Sequence, residues 1–238
     1  MRLDRHWGRV AFYDIATAKT EAAARQRPPA RRLGYLRVKR LADIVVSLIA
    51  IIFCLPALGL ISLFILLDSG GPIFFTQRRG GVAGGTFAIL KFRTLIVSED
   101  GPEVVQVHKH DPRVTRVGRF LRAFHLDELP QLLNVLAGDM SLVGPRPHAI
   151  SHDAYYGSRI PDYEHRYAVK PGITGWAQIN GSRGPTPLLS DMRARIELDL
   201  WYVENANLAL DLLILIRTPF EILGKRLGLS YGGGRTTL

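Results

Sequence analysis

Cysteine is almost absent from this sequence: its 238 residues contain one, Cys54. A single cysteine cannot form an internal disulfide, which excludes the disulfide-stabilised secreted domains and indicates a cytoplasmic environment. Acidic residues are also scarce, with 21 Asp and Glu against 31 Lys and Arg. The resulting net charge of +10 favours an anionic partner, either nucleic acid or a membrane surface.

The positive charge is concentrated at the N-terminus. Residues 1–40 contain eleven Lys and Arg and three acids, whereas the rest of the chain is close to neutral. Residues 1–34 are basic, rich in Ala and Arg, and broken by Pro28-Pro29, which predicts a flexible arm. A nucleic-acid-binding protein with a membrane anchor would instead interleave basic and aromatic residues on one surface. We therefore expect this arm to bind membrane phospholipids and not nucleic acid.

A long run without charge follows the arm. Residues 44–67 read IVVSLIAIIFCLPALGLISLFILL. As a straight helix these 24 residues would measure ~36 Å, enough to cross a bilayer. The run starts too late, is too long and lacks the small-residue cleavage site of a signal peptide. It predicts a membrane helix, and the alternative is the buried helix of a soluble protein.

Pro56 lies near the middle of this run, and basic residues stand on both sides of it. Positive flanks prefer the cytoplasm, and here both ends have that preference. A helix that enters the membrane, breaks at Leu55-Pro56 and returns to the same face satisfies both flanks. A spanning helix with a proline kink is the alternative.

The rest of the chain predicts a mostly α fold with a small β-hairpin. Two short apolar runs, 73–76 and 86–92, flank a glycine-rich loop at 79–85. The loop lacks the Gly-Lys-Ser/Thr ending of a phosphate-binding P-loop. Helices are expected at about 186–203 and at 207–223, and the latter packs on the core or lies in the membrane interface.

Residues 114–124, VTRVGRFLRAF, predict an amphipathic helix. An apolar face with arginines beside it suits a helix lying at the lipid headgroups. A surface helix packed on the core is the alternative. The apolar positions are Val117, Phe120, Leu121 and Phe124, and the arginines are Arg116, Arg119 and Arg122.

Asp127 and Glu128 stand side by side ahead of a leucine-rich helix. Asp127 suits the N-cap and Glu128 the first turn, so the pair can be purely structural. The same end of a helix also favours phosphate. An aspartate held there can act as a nucleophile that forms an aspartyl phosphate, and a second carboxylate can help to hold Mg²⁺.

Four Lys and Arg residues suited to binding phosphate lie in nearby segments of the chain. Each alone is typical of a solvated charge, but their grouping with two carboxylates favours a functional role. They are Lys91, Arg93, Arg122 and Arg146.

Four motifs in this order resemble the bacterial sugar transferases, the monotopic phosphoglycosyl transferases. That family moves a sugar 1-phosphate from a nucleotide sugar onto polyprenyl phosphate. The resemblance covers roughly residues 36–222, and four motifs in sequence are far more specific than any one. The motifs are KFRT (91–94), DPRVTRVGRFLR (111–122), LDELPQLLNVLAGDMSLVGPRP (126–147) and KPGITGWAQINGSRG (170–184).

The resemblance implies a monotopic protein of the bacterial cytoplasmic membrane, with a Pro-broken re-entrant helix, interfacial amphipathic helices and a catalytic domain on the cytoplasmic face. It implies a UDP-sugar donor, an undecaprenyl phosphate acceptor, a covalent aspartyl intermediate, release of UMP, and Mg²⁺. The style of the last motif suggests a hexose, glucose first, for exopolysaccharide synthesis. A homodimer is compatible with the resemblance.

Residue by residue, Asp127 matches the family nucleophile and Glu128 its dyad partner, and both are expected to hold the metal. The four cations named above match positions near the phosphates. Pro56 matches the helix break, although Leu55 stands where many members have serine. The expected segments are a basic arm (1–34), a re-entrant membrane helix (35–68), a catalytic domain (69–224) and a tail (225–238). With only the arm ahead of this unit, we expect a minimal form of the family.

Several residues keep two interpretations. His148 and His152 have the i, i+4 spacing of metal ligands beside Asp153, but no third ligand is evident. His125 either tunes the ionisation of the carboxylates or is uninvolved. Trp176 either stacks on a nucleotide base or packs in the core. A non-catalytic membrane scaffold of the same fold is the rival to an enzyme, and the intact pair of carboxylates argues against it.

Overall fold

The computed structural model of the protein describes residues 30–96, 107 and 111–226. The basic arm and the C-terminal tail expected from the sequence fall almost entirely outside the described residues. The described part is mostly helical with a small antiparallel strand pair, which confirms the prediction of a mostly α fold with a small β-hairpin.

The described chain has seven α-helices, four strands and three short 3-10 turns. The helices are α1 (Ala30–Ser69), α2 (Arg116–Phe124), α3 (Gln131–Ala137), α4 (Ile150–Gly157), α5 (Trp176–Ile179), α6 (Leu189–Asn205) and α7 (Leu208–Arg226). The strands are β1 (Phe74–Gly80), β2 (Thr86–Phe92), β3 (Ser141–Val143) and β4 (Gly172–Thr174), and the 3-10 turns are Val82–Gly84, Leu126–Glu128 and Tyr163–Ala168.

The predicted hairpin is present, but its first strand is longer than expected. Strands β1 and β2 pair antiparallel from Phe74 opposite Phe92 to Gly80 opposite Thr86. The expected loop at 79–85 therefore begins two residues too early, because Arg79 and Gly80 belong to the strand. Alternation along the strand places Gln77 and Arg79 on one face, and both line the cavity described below.

A second, parallel sheet joins two segments that sequence analysis left as loops. Strand β3 pairs with β4, with Ser141 opposite Gly172 and Val143 opposite Thr174. The Gly144 amide donates to Thr174 O at 2.9 Å, and the Gly172 amide donates to Pro145 O at 2.9 Å. These bonds hold the Gly-Pro-Arg-Pro loop against the segment that follows Lys170.

Two glycines make this close approach feasible. A Cβ on Gly172 would lie well inside contact distance of the Gly144 backbone, and one on Gly144 would meet the carbonyl of Lys170. Any larger residue would push the two strands apart. The glycines are therefore required by the distance between two backbones.

Helix α1 continues through Pro56 and is largely uncovered by the rest of the protein. Within the described residues it is the one helix long and apolar enough to cross a membrane, and its most apolar window is 6% buried. A buried helix of a soluble protein does not fit this exposure. Apolar side chains exposed over such a length indicate membrane association. The break at Leu55-Pro56 stays a prediction.

One stripe of α1 packs on the domain through polar bonds near its N-terminal end. Arg40 donates to the carbonyls of Val135 and Leu136 at the end of α3. Asp43 accepts from Ser141 Oγ at 3.1 Å and from the Leu142 amide at 3.0 Å. A further ion pair joins α1 to α7, between Lys39 and Asp211 at 2.8 Å.

Apolar contacts also hold α1 and α2 together, and the two faces of α2 differ in their exposure. Leu121 is buried against Ile61, Ile65 and Phe92. Phe120, by contrast, is 56% exposed, and its ring lies tilted against that of Phe124 in the next turn, with centroids 4.7 Å apart. The helix thus packs on the core with one side and presents aromatic rings with another, so its interfacial position stays a prediction.

Trp176 belongs to the core. Its ring stacks on Trp201 with centroids 4.6 Å apart, and it packs against the main hydrophobic cluster. It does not line the cavity described below. The core-packing interpretation is therefore the one that the structure supports.

We expect Gly172→Ala to lower the free energy of unfolding by about 2–3 kcal/mol, because the new methyl group overlaps the Gly144 backbone. Thermal unfolding in detergent, followed by circular dichroism, measures the change. The matched control is Gly59→Ala, whose Cβ would meet nothing within 4 Å. Equal midpoints for the two variants would show that the strands tolerate separation.

Candidate active site

One cavity brings together the residues singled out from the sequence. It has a volume of about 390 Å³ and lies between the hairpin, the end of α2, the Gly-Pro-Arg-Pro loop and the start of α6. Its lining includes both carboxylates and all four predicted cations. These are Asp127, Glu128, Lys91, Arg93, Arg122 and Arg146. Their proximity is a finding, whereas their individual roles stay predictions.

Asp127 does not cap α3, contrary to the structural interpretation of the sequence. It lies in the 3-10 turn Leu126–Glu128, which follows His125 in the left-handed conformation (φ 57°). Helix α3 begins only after Pro130, which provides no side-chain hydrogen bond as its cap. The carboxylate therefore remains free of a backbone partner, although only 6% of the residue is exposed.

Glu128 is fully engaged with two cations. Its Oε1 accepts from Lys91 Nζ at 2.9 Å and from Arg146 NH2, and its Oε2 accepts from Arg146 NH1 at 3.1 Å. Burial alone would raise the pKa of this carboxyl, but Arg146 and Lys91 outweigh burial and hold the pKa well below its usual range. Glu128 is therefore ionised and anchors both cations.

Asp127 differs from its neighbour because no described residue forms a hydrogen bond or ion pair with its carboxylate. Burial raises the pKa of Asp127, and the charge on Glu128 raises it further, while Lys91 and Arg122 oppose both effects. A buried carboxylate that has no partner among the described residues and lies in a cavity lined by cations is suited to a nucleophilic or metal-binding role.

The cations divide into two groups. Lys91 and Arg146 form ion pairs with Glu128. Arg122 lies in the last turn of α2, and its charge lowers the pKa of Asp127. Arg93 lines the cavity and also has a structural contact, while its predicted role at the phosphates stays a prediction. It donates to Ser69 Oγ at 2.7 Å and to the Gly70 carbonyl, which fixes the end of α1.

A buried arginine that the sequence did not single out supports the Arg146 loop. Arg166 is 2% exposed and donates to the Arg146 carbonyl. It also pairs with Asp199 at 2.9 Å and donates to His148 Nδ1 at 2.8 Å. No local pattern marks this role of Arg166, because these three partners lie 18 to 33 residues away in the chain.

The described residues add no third ligand to the histidine spacing considered above. His148 Nδ1 is occupied by Arg166 and Tyr163. The described residues contain no group of three or more His, Cys, Asp and Glu that could hold a metal ion. His125 lines the cavity, and burial followed by the charge of Arg183 lowers its pKa to about 4. It is therefore neutral at physiological pH.

Comparisons of the sequence with known proteins agree on one family. The model of the family described as "Bacterial sugar transferase" matches residues 34–225. A UDP-glucose:undecaprenyl-phosphate glucose-1-phosphate transferase of Caulobacter vibrioides is 52% identical over 185 residues, which cover 78% of this chain and 69% of the relative.

Two further relatives differ in how much of their length is matched. The transferase of the same name from Escherichia coli is 47% identical, over 77% of this chain and 40% of the relative. An exopolysaccharide production protein of Rhizobium leguminosarum is 46% identical, over 77% of this chain and 94% of the relative. The chain thus spans less than half of the E. coli relative.

We expect Glu128→Gln to lower the free energy of unfolding by about 3 kcal/mol, because Lys91 and Arg146 would lose the carboxylate that pairs them. Thermal unfolding in detergent tests this, with Glu197→Gln on the exposed side of α6 as the matched control. Adding Lys91→Met to Glu128→Gln should recover part of the loss. No difference from the control would mean that the ion pairs contribute little to stability.

Proposed function

The chain belongs to the bacterial sugar transferase family, and on that premise we propose that it transfers a sugar 1-phosphate from a UDP-sugar to undecaprenyl phosphate and releases UMP. This step would begin the synthesis of an exopolysaccharide. The names of the Caulobacter and E. coli relatives support glucose as the sugar. The observation that carries the proposal is the buried carboxylate of Asp127, which has no hydrogen bond or ion pair to any described residue and lies in a cavity lined by cations.

In the first half of the reaction Asp127 acts as the nucleophile. Its carboxylate oxygen attacks the β-phosphorus of the UDP-sugar, and the bond from that phosphorus to the bridging oxygen breaks. UMP leaves with the bridging oxygen, and the sugar phosphate remains bound to Asp127. The absence of a hydrogen bond or ion pair to this carboxylate within the described residues supports the role, because no protein partner has to be displaced first.

In the second half a phosphate oxygen of undecaprenyl phosphate attacks the same phosphorus. The bond to the Asp127 oxygen breaks, which regenerates the carboxylate and yields undecaprenyl-diphosphate-sugar. The two halves use one nucleophile and one set of cations. Donor and acceptor can therefore occupy the cavity in turn.

The fixed cations have the charge that both halves need. Phosphoryl transfer relies mainly on positioning and on stabilising charge that is spread over the phosphate oxygens. Glu128 holds Lys91 and Arg146 beside Asp127, so their positions are set before substrate binds. Arg122 adds a third positive charge near the nucleophile. Arg93, which is tied to the end of α1, acts in our proposal by positioning β2.

The donor set fits Mg²⁺. Asp127 offers a carboxylate with no partner among the described residues, and Oε2 of Glu128 accepts a single hydrogen bond from Arg146. Mg²⁺ commonly takes one or two carboxylates together with waters and substrate phosphates. We propose these two residues as its protein ligands. Bound there, the ion would offset negative charge on the diphosphate.

The membrane arrangement follows from surfaces that the domain leaves uncovered. Between Ile52 and Ala57 every side chain of α1 is exposed except Cys54, which is half-buried. An apex at Leu55-Pro56 that dips into the lipid and returns would place this stretch deepest. The basic flanks of α1 support the cytoplasmic face of the bacterial cytoplasmic membrane. Exposed Phe120 supports contact of α2 with the headgroup region.

The first test looks for the covalent intermediate. Purified protein with Mg²⁺ and a UDP-sugar labelled in the sugar, without lipid acceptor, should carry label after denaturation and release UMP. We expect Asp127→Asn to carry no label and to lose turnover by at least about 10³-fold, because the nucleophile is absent. The matched control, Asp139→Asn at an exposed position, should behave like the wild type.

A panel of UDP-sugars in the same assay identifies the donor. Turnover on addition of polyprenyl phosphate without any prior label would replace the two-step route with direct transfer. Absence of both label and turnover for the whole panel would leave the non-catalytic scaffold as the better account.

The pH dependence tests the environment of Asp127. Because only the ionised carboxylate attacks and burial raises its pKa, kcat/KM should fall on acidification at a pH above the ordinary aspartate value of 3.8. Arg122→Gln should move this fall to higher pH, since Arg122 lowers the pKa of Asp127. Arg116→Gln, on the exposed side of the same helix, is the control and should leave it in place. Identical profiles for the two variants would contradict the assignment.

A further inference from the structure

Several side chains in the cavity wall have buried N–H groups that no described residue accepts, among them those of the half-buried Arg93 and Arg183. Two such groups belong to residues that are themselves buried, Nε2 of His148 and Nε of Arg195, each residue being 6% exposed. Buried polar groups without a partner are uncommon in folded proteins. Two of them on one cavity point to a bound ligand as the missing partner.

The neighbours of His148 determine which of its nitrogens carries hydrogen. Arg166 NH1 lies 2.8 Å from Nδ1, and a guanidinium can only donate, so Nδ1 accepts. The ring proton of the neutral histidine is therefore on Nε2. Burial, followed by the charge of Arg166, holds the pKa of His148 well below its usual range, so the ring stays neutral. Nε2 is a permanent donor on the cavity wall.

Arg195 presents the same kind of group from α6. Its NH2 donates to the Gly184 carbonyl, which fixes the side chain, while its Nε has no partner. Burial is the main cause that lowers its pKa to about 10, so the guanidinium remains protonated at neutral pH. Neither Arg195 nor His148 Nε2 can accept a hydrogen bond.

Donors of this kind suit an oxygen that carries lone pairs and no hydrogen. In the described lining of the cavity, the only carboxylates are those of Asp127 and Glu128, which the proposed chemistry uses. Sugar hydroxyls donate as well as accept, and they are best bound where acceptors are also present. A pyrimidine carbonyl and a phosphate oxygen accept only, and both belong to the nucleotide half of a UDP-sugar.

We propose that His148 Nε2 and Arg195 Nε bind an acceptor oxygen of the nucleotide half of the donor, and so select and orient the group that leaves. This inference rests on the proposed function. The acceptor is a carbonyl of the base or an oxygen of the diphosphate. Both sources offer the same hydrogen-bond chemistry, and the experiment below distinguishes them.

The test measures equilibrium binding of UMP, uridine and pyrophosphate to the full chain in detergent by titration calorimetry. Arg195→Met removes the guanidinium and keeps the apolar stem. His148→Asn removes the Nε2 donor, while its amide oxygen can still accept from Arg166. We expect UMP to bind about tenfold more weakly to each variant. Arg193→Met, at an exposed position on the same helix, is the matched control.

The three ligands identify the acceptor atom. Weaker uridine binding with unchanged pyrophosphate binding assigns a carbonyl of the base, and the reverse assigns the diphosphate. Either result supports the proposal. Unchanged UMP binding in both variants overturns it. So does a change confined to discrimination among UDP-hexoses, since the donors would then contact the sugar.

Two further measurements keep the interpretation clear. In both variants the thermal midpoint and the KM for polyprenyl phosphate should stay at the wild-type values. If the two side chains were only structural, their replacement would lower the midpoint or change both substrates alike. Binding does not require turnover, so a wild-type protein that binds UMP but transfers no sugar would refute the proposed function alone. A wild-type protein that transfers sugar, with variants that bind UMP normally, would refute this inference alone.

Discussion

The arrangement of the site depends on the ion pairs of Glu128. Lys91 comes from β2, Glu128 from the turn after α2, and Arg146 from the loop after β3, and a single carboxylate joins all three. Removing a carboxylate between two buried cations is strongly unfavourable, so these segments are held together by more than apolar packing. The same pairing explains why Asp127 has no ion pair within the described part of the chain. Lys91 and Arg146, which both lower its pKa, are already bonded to Glu128, so the two adjacent carboxylates have different surroundings.

Arg146 can reach Glu128 only because its loop is fixed from behind. The parallel pair β3 and β4 holds one side of the loop through backbone bonds, and the glycines at 144 and 172 allow the distance. Arg166 holds the other side by donating to the Arg146 carbonyl, and Asp199 on α6 neutralises it. Helix α6 thus supports the Arg146 loop through Asp199 and Arg166. It also fixes the ring of His148, so one buried arginine serves both the loop and the cavity wall.

Sequence analysis found the parts of the site that depend on local pattern and missed those that depend on distant partners. The hairpin, the amphipathic α2 and the later helices follow from periodicity and turn residues, and the resemblance identified Asp127 and Glu128. The β3–β4 pair was not predicted, because strands of three residues show no periodicity and parallel pairing joins distant segments. The interpretation of Asp127 as a helix cap was wrong, because the local pattern did not show that residues 126–128 form a separate 3-10 turn and that the helix begins only after Pro130. The tautomer of His148 depends on Arg166, which is 18 residues away.

The bonds of α1 connect the chemistry to the membrane. The proposed reaction, between a water-soluble donor and a lipid acceptor, requires Asp127 to lie at a fixed depth relative to the headgroups. Arg40 and Asp43 bond the first half of α1 to α3 and β3, and Arg93 bonds its end to β2, two residues from Lys91. Rotation or sliding of the helix would break polar bonds at both ends. The depth of α1 in the lipid therefore sets the depth of the cavity. Arg93 lines the cavity and also bonds the end of α1, so it holds the strand that carries Lys91 at the end of that helix.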